Sequence, residues 1–243
     1  TPEYMERAAV LAAELGFDGI DINMGCPDRS IEKQGAGAAH IKNPERAVEI
    51  IRAAKRGAES AGRKMPVSIK TRLGYNRDEL DAWLPKLLEA EPAAVIIHAR
   101  TRKEMSNVPA RWERVKHAVS IRDALGSAAL IIGNGDALSM DDARAKTAES
   151  GADGVMLGRA IFGNPWLFAE HIPTLEEKLR VLVEHTKLFE ELLPHKNFAI
   201  MKKHYKAYAH GFEGAKELRE KLMNAENAFA VDRIVEAWLR KSA

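Results

Sequence analysis

The chain has 243 residues, of which 46% are hydrophobic and 6% aromatic, which is enough for one large domain or a domain with an appendage. Its 37 basic and 35 acidic side chains leave a net charge of +2, which gives no general electrostatic argument for nucleic acid, so any basic surface must be local. The single cysteine, Cys26, excludes an internal disulfide and fits a reducing cytoplasm, and no apolar run approaches the roughly eighteen residues of a membrane helix.

The first part of the chain alternates helices with short strands rich in Val and Ile. The first helix begins at Thr1-Pro2-Glu3 and ends at Gly16, and later helices begin near Asn43, Asp78, Trp112 and Ser139. The predicted strands are Phe17–Met24, Val67–Lys70, Ala94–His98, Leu130–Ile132 and Gly154–Leu157. Apolar strands that alternate with helices predict an α/β fold with a parallel sheet. A doubly wound sheet remains possible at this point, because it too can have five strands.

The last part of the chain shows only helical patterns. Thr174 and Glu177 have the spacing of a capping box, and further helices are predicted over roughly 196–209, 213–223 and 225–240. We therefore predict a domain boundary near residue 170, with an α/β domain over 1–170 and an all-helical domain over 171–243.

Polar groups follow the carboxyl end of each predicted strand. Functional side chains of parallel α/β proteins gather at these ends. A single Cys, His or Lys is more often structural or solvated, but five such ends in succession favour a functional edge. They are Asn23 to Pro27, Lys70 to Arg72, His98 to Arg102, Gly133 to Asp136, and Gly158-Arg159.

The last two of these ends favour phosphate binding. Eight-stranded α/β barrels often bind phosphate at the loops after their final two strands. Glycines let backbone N–H groups approach an anion, and Arg159 adds a fixed fork of donors. A phosphate-bearing cofactor or substrate is expected, whereas Gly35 to His40 lacks the third glycine of a dinucleotide fingerprint. No metal-ligand spacing is present in the sequence.

The segment Gly16 to Pro27, GFDGIDINMGCP, resembles the signature of tRNA-dihydrouridine synthases. Further segments match the family in the same order. They are Lys70-Thr71-Arg72, His98 to Arg102, Asn134-Gly135-Asp136, Asp153 to Arg159, and Gly163 to Trp166. The resemblance covers about residues 1–170 and, more loosely, the helical tail.

The resemblance implies a TIM (β/α)8-type barrel that binds FMN, followed by a helical domain that holds tRNA. NADPH would reduce the flavin, and the reduced flavin would deliver hydride to C6 of uracil. Cys26 would be the acid that protonates C5, a task that suits a thiol because thiols stay mostly protonated near neutral pH.

The resemblance also implies roles for the other residues at the strand ends. Lys70 would lie beside the flavin ring. The remaining FMN contacts would come from His98, Asn134, Gly135, Asp136, Gly158 and Arg159. The uridine pocket would contain Asn23, Arg72 and Arg100.

Two features depart from the family pattern. Thr1 stands at the helix that should follow the third strand of the barrel, so three βα units are expected to be absent, on the order of 70–90 residues. We therefore expect the chain to be a fragment of a longer protein. We also expect the full-length protein to be a monomer. The loop from Arg102 to Pro109 differs from the commoner family sequence and leaves the target uridine open.

The helical tail contains a local basic cluster of Lys202, Lys203 and Lys206, with no acid between His195 and His210. Such a cluster can be a solvated face or an RNA contact. The resemblance favours tRNA as its partner, and no membrane or metal partner is expected.

Three alternatives stay open. A dihydroorotate or dihydropyrimidine dehydrogenase also pairs FMN with an Asn-x-x-Cys-Pro turn, but it acts on free pyrimidines. A non-catalytic RNA-binding fragment would not hold flavin. An FMN-free, phosphate-binding aldolase or isomerase would leave Cys26 and Lys70 without roles.

Overall fold

The computed structural model describes residues 1–242, with side chains to residue 241. Its centre is one parallel sheet of five strands in the order β1-β2-β3-β4-β5. The strands are β1 Ile20–Asn23, β2 Val67–Arg72, β3 Ala94–His98, β4 Leu130–Asn134 and β5 Gly154–Met156. A doubly wound sheet reverses its strand order at a switch point. The order in the described residues runs in one direction, so this sheet is not doubly wound.

Helices connect the strands and make up most of the chain after them. The described α-helices are α1 Pro2–Glu14, α2 Arg29–Lys33, α3 Pro44–Ser60, α4 Leu80–Leu88, α5 Trp112–Ala124, α6 Met140–Ser150, α7 Leu175–Leu192, α8 Lys202–Tyr208, α9 Ala215–Met223 and α10 Ala228–Ser242. None of the described helices is long and apolar enough to cross a membrane.

The chain divides into two compact units. The first is Thr1–Gly158 and contains the sheet, and the second begins at Arg159. The described residues of the second unit form helices and short 3-10 turns around their own apolar core. The division lies ahead of the boundary predicted near residue 170, and the separate roles of the two parts stay predictions.

The two faces of the sheet differ in their side chains. Ile22, Ile69, Val95 and Ile131 stand in register across β1 to β4, and all four are buried in the core of the first unit. Because side chains alternate along a strand, the next register position places Asn23 and Lys70 on the other face. The apolar pattern therefore fixes which side chains the sheet presents away from that core.

Several predicted helix starts are confirmed by their caps. Thr174 and Glu177 form a complete capping box, and Ser139 accepts a hydrogen bond from the backbone of Asp142 at 3.1 Å. Asp78 accepts a hydrogen bond from the Leu80 amide at 3.2 Å. Helix α4 begins at Leu80 with Glu79 at the N-cap position, so Asp78 lies one residue before the cap.

The first strand is shorter than predicted. The sequence favoured Phe17–Met24, but the strand spans Ile20–Asn23, and Phe17 is exposed. Gly16 takes a φ of +84°, so the chain turns there before it enters the sheet.

Helices α1 and α3 cross closely at Gly57. A Cβ at this position would lie 2.2 Å from the Glu6 carbonyl oxygen and 2.8 Å from the Ala9 Cβ. A side chain there forces the two helices apart, and such overpacking costs about 1–3 kcal/mol.

We expect Gly57→Ala to lower the free energy of unfolding, measured in urea. The opposite change would be expected in a solvent-exposed helix, where Ala is more stable than Gly by about 1 kcal/mol. Glu59→Ala, at an exposed position of the same helix, is the control and should stay within about 0.5 kcal/mol. An increase in stability for Gly57→Ala would contradict the close crossing.

Candidate functional site at the carboxyl edge of the sheet

The structure brings the polar strand ends together in two register rows. Asn23 is paired with Lys70, and two residues further along the strands Arg72 is paired with His98 and His98 with Asn134. Neighbouring strands lie about 4.8 Å apart. The residues predicted from four separate sequence segments therefore share one edge of the sheet.

Arg100 is the most deeply buried charge at this edge, with 3% of its surface exposed. Its Nη1 donates to His98 Nε2 at 3.0 Å and its Nη2 to Asp136 Oδ2 at 2.5 Å. Its Nε donates to the Val108 carbonyl at 2.5 Å. The guanidinium thus joins the loop after β3 to the loop after β4.

This contact fixes the protonation of His98. A guanidinium can only donate, so His98 Nε2 accepts and the ring proton is on Nδ1. Burial lowers the pKa of His98 to about 3, and neighbouring cations add to the effect. These cations are Arg72, Lys70 and Arg100. His98 is therefore neutral near pH 7 and has one N–H left to donate.

Lys70 is a half-buried cation. Burial lowers its pKa, Arg72 lowers it further, and Asp21 only partly offsets them. The Lys70 ammonium forms no hydrogen bond or ion pair with any residue that the structure describes. Because a desolvated charge is costly without a partner, this position suits an anionic or electron-rich ligand.

The loop after β4 is held tightly by the protein itself. Gly135 takes a φ of +124°, and a Cβ there would lie 2.8 Å from the Ala110 Cβ. The Asp136 carboxylate accepts from Arg100 and from the Ala110 amide at 2.9 Å, and Asn134 Nδ2 donates to the Met156 carbonyl at 2.7 Å. Contacts of these three residues to a cofactor stay predictions.

Arg72 and Asn23 also act within the chain. The buried Arg72 guanidinium donates from Nε to the Gly25 carbonyl at 2.8 Å and from Nη1 to two carbonyls of the loop after β3. Asn23 Oδ1 accepts from the Gly25 amide at 3.0 Å. Both side chains shape the segment that carries Cys26, and their contact with a uridine stays a prediction.

Cys26 follows this segment as a partly exposed free thiol. Gly37 lies against it, and a Cβ on Gly37 would approach the Cys26 carbonyl to 2.7 Å. The chain still pairs with β2 two residues before Cys26, where the Met24 amide donates to the Lys70 carbonyl at 2.7 Å.

Sequence reasoning missed the partner of Arg102. Glu32, on α2, accepts a bidentate contact from the Arg102 guanidinium across 70 residues of sequence. Nothing in the local pattern marks Glu32, because it resembles any charged residue of a short helix.

The other predicted phosphate residues lie at the division between the units. Gly158 ends the first unit, and Arg159 begins a 3-10 turn, Arg159–Ile161, in the second. Both residues are exposed. Their shared contact with a phosphate stays a prediction.

The predicted basic cluster lines a groove of about 890 Å³ between α8 and α9. Five basic side chains and one acid, Glu220, surround it. The basic ones are Lys202, Lys203, Lys206, Lys216 and Arg219. Helical spacing could have revealed the last two, which α9 places three residues apart.

The tyrosines within this cluster belong to the helical core. Tyr205 and Tyr208 are buried, and burial raises the pKa of Tyr205 to about 12. Neither tyrosine therefore presents an exposed ring on which an RNA base could stack, and the groove offers mainly positive charge.

The dihydrouridine synthase family model matches residues 1–241 of the chain. A Staphylococcus epidermidis protein named "Probable tRNA-dihydrouridine synthase" is 40% identical over 233 residues, which cover 93% of this chain and 69% of that protein. A Bacillus subtilis protein named "Probable tRNA-dihydrouridine synthase 2" is 38% identical, with coverage of 99% and 74%.

Two solved structures are distant neighbours. Oxaloacetate acetylhydrolase gives a TM-score of 0.46 at 14% identity, with coverage of 88% of this chain and 89% of that one. A 2,3-dimethylmalate lyase gives 0.44 at 17% identity, with coverage of 69% and 60%. These likenesses carry no argument about function.

The lowered pKa of His98 gives a signed pH dependence. The pKa is about 3 in the folded chain against an ordinary 6.5, so between these values the unfolded chain binds a proton that the folded chain does not. We expect the free energy of unfolding of the wild type to fall more steeply than that of His98→Gln as pH drops from about 7.5 to about 4.5.

Urea unfolding over this pH range tests the expectation, and the His98 ring signals in NMR should not titrate between about pH 5 and about pH 8. His195→Gln, at an exposed position, is the control for loss of an imidazole. Parallel pH curves for the wild type and His98→Gln would contradict the assignment.

Proposed function

This chain belongs to the dihydrouridine synthase family, and we propose that it reduces the C5=C6 bond of uridine in tRNA. The proposal is supported by a free cysteine that follows β1 and a half-buried lysine on the neighbouring β2, which has no partner among the described residues. The family match does not favour a free-pyrimidine dehydrogenase or a non-catalytic RNA-binding fragment.

The donor set at this edge fits FMN. Lys70 and the Nδ1–H of His98 can donate to the polar edge of a flavin ring. Gly158 and Arg159 are proposed as the phosphate contacts. Bound FMN would supply the two electrons of the reduction, with NADPH as their source, as the sequence resemblance implies.

Cys26 holds the proton that the uracil ring needs at C5. A thiol that is partly exposed can reach a base that enters the edge, and its proton can be given without disturbing the cofactor contacts. The Lys70 side chain would lie next to the reacting ring, where a positive charge stabilises negative charge as it develops.

We also propose that the sheet is an arc of an eight-stranded α/β barrel. Its strands follow one another in sequence order, and in the described residues β1 pairs with β2 alone and β5 with β4 alone. Three further βα units would satisfy both edges and close the wall around the flavin.

The groove between α8 and α9 is the proposed RNA contact. Its excess of basic side chains suits phosphates of the tRNA backbone, and such contacts position an RNA without reading its sequence.

We expect Cys26→Ala in the flavin-loaded enzyme to keep its flavin and lose uridine reduction by about 10²-fold or more, because only the proton donor is removed. Dihydrouridine formed per unit time in unmodified tRNA measures the loss, and the flavin absorbance of the same sample is the internal control. Turnover at the wild-type rate would refute the role of Cys26.

We expect replacement of Lys202, Lys203 and Lys206 by Gln to weaken tRNA binding and to reduce the slope of log affinity against log salt by about one for each lysine that pairs with a phosphate. Filter binding or anisotropy over a salt series measures this, and the flavin content should not change.

The matched control removes three positive charges elsewhere. Lys64, Lys116 and Lys187 are exposed lysines outside the groove, and their replacement by Gln should leave the salt slope near that of the wild type. Equal slopes for both triple variants would show that the RNA lies away from the groove.

A further inference from the structure

The segment that carries Cys26 is held by its carbonyl groups. The Gly25 carbonyl accepts from Arg72 Nε at 2.8 Å, and the Cys26 carbonyl accepts from the Ala38 amide at 2.9 Å. Two donors from different parts of the chain thus fix the peptide units on either side of the thiol-bearing Cα.

The third carbonyl in the row is that of Pro27, and it faces Arg102. Arg102 Nη2 lies 3.5 Å from this oxygen, a long contact. The same guanidinium forms a bidentate ion pair with Glu32, in which Nε donates to Oε1 at 2.8 Å and Nη2 donates to Oε2. Arg102 therefore contacts the chain just after Cys26, whereas Arg72 contacts it just before.

Helix α2 is joined to the loop after β3 by this ion pair. It has five residues, and none of them is buried. A helix this short is not stable by itself, and without a buried side chain it has little apolar packing to anchor it. The side chains of Arg102 and Glu32 are only 22% and 9% exposed, so the ion pair is well shielded from water.

Arg102 is itself held rigidly. Its amide donates to the Gly74 carbonyl at 2.9 Å, and its guanidinium lies over the Tyr75 ring, 5.2 Å from the centroid. Lys42 Nζ is 4.3 Å from the same centroid. The anchor on the β3 loop is thus more constrained than the helix that it holds.

We propose that Arg102 and Glu32 are a positioning pair that fixes the Cys26 thiol in its orientation for proton transfer. This rests on the proposed function of Cys26. The pair does not touch the substrate and acts only through the thiol.

The test is a double-mutant cycle in the flavin-loaded enzyme. Because small displacements of a reacting group cost up to about 10²-fold in rate, we expect Glu32→Gln and Arg102→Gln to lower kcat by about tenfold or more. KM for tRNA and flavin content should stay the same. In the Cys26→Ala background the same substitutions should cause no further loss.

The two failures are distinguishable. An equal loss from Arg102→Gln with and without Cys26 overturns the positioning pair and leaves the proposed function intact. Wild-type turnover in Cys26→Ala alone overturns the proposed function, and the inference with it. If Arg102→Gln does not fold, Glu32→Gln, which keeps the shape of the side chain, provides the same comparison.

A second readout does not depend on turnover. Cys26 is the only cysteine in the sequence, so its alkylation by iodoacetamide can be followed by intact mass. Release of α2 should raise the alkylation rate by about tenfold through local opening. An unchanged rate in both Glu32→Gln and Arg102→Gln overturns the inference.

Arg114→Gln is the matched control for this readout. Arg114 forms a comparable forked pair with Asp78, at 2.8 and 3.1 Å, with side chains 24% and 26% exposed. It joins α5 to the loop before α4, far along the chain from Cys26, and its loss should leave the alkylation rate near that of the wild type.

Discussion

The organisation of the carboxyl edge depends on the burial of the Arg100 guanidinium. A buried charge without a partner costs several kcal/mol, and Arg100 avoids this by donating to Asp136, His98 and the Val108 carbonyl. Each acceptor is thereby fixed in turn. The loop after β4 is drawn towards β3, and His98 is kept neutral with its proton on Nδ1. The protonation of His98 and the position of Asp136, which would face a ligand, thus depend on Arg100, which a ligand need not contact.

Much of the sheet could be predicted from sequence because burial acts locally on it. Ala94–His98 is both the predicted and the observed third strand, since its apolar residues are bounded by the polar His98 and the loop that follows. The predicted first strand was too long because Phe17 is apolar and precedes the apolar residues of the strand. The positive φ of Gly16 turns the chain just before Phe17, and Phe17 is exposed. Periodicity detects which residues are apolar, but it does not detect where the backbone turns.

The site could be predicted as a set of strand ends, because parallel strands bring those ends together. The partners of each side chain could not, since they are set by contacts between distant segments. The uridine contact of Arg72 stays a prediction, and no local pattern showed that its guanidinium binds carbonyls of two loops. Glu32 carried no signal at all, because its importance comes from its distance to Arg102 in space.

The carbonyls around Cys26 take side-chain donors that are 47 and 75 residues away in the chain. Contacts between such distant segments form late, because the chain entropy of closing a long loop must be overcome first. In a growing polypeptide the thiol therefore stays on a mobile stretch until the segment with Arg102 has emerged and docked. The segment that carries the cysteine is therefore held by both donors only after the third strand and the loop that follows it have been made.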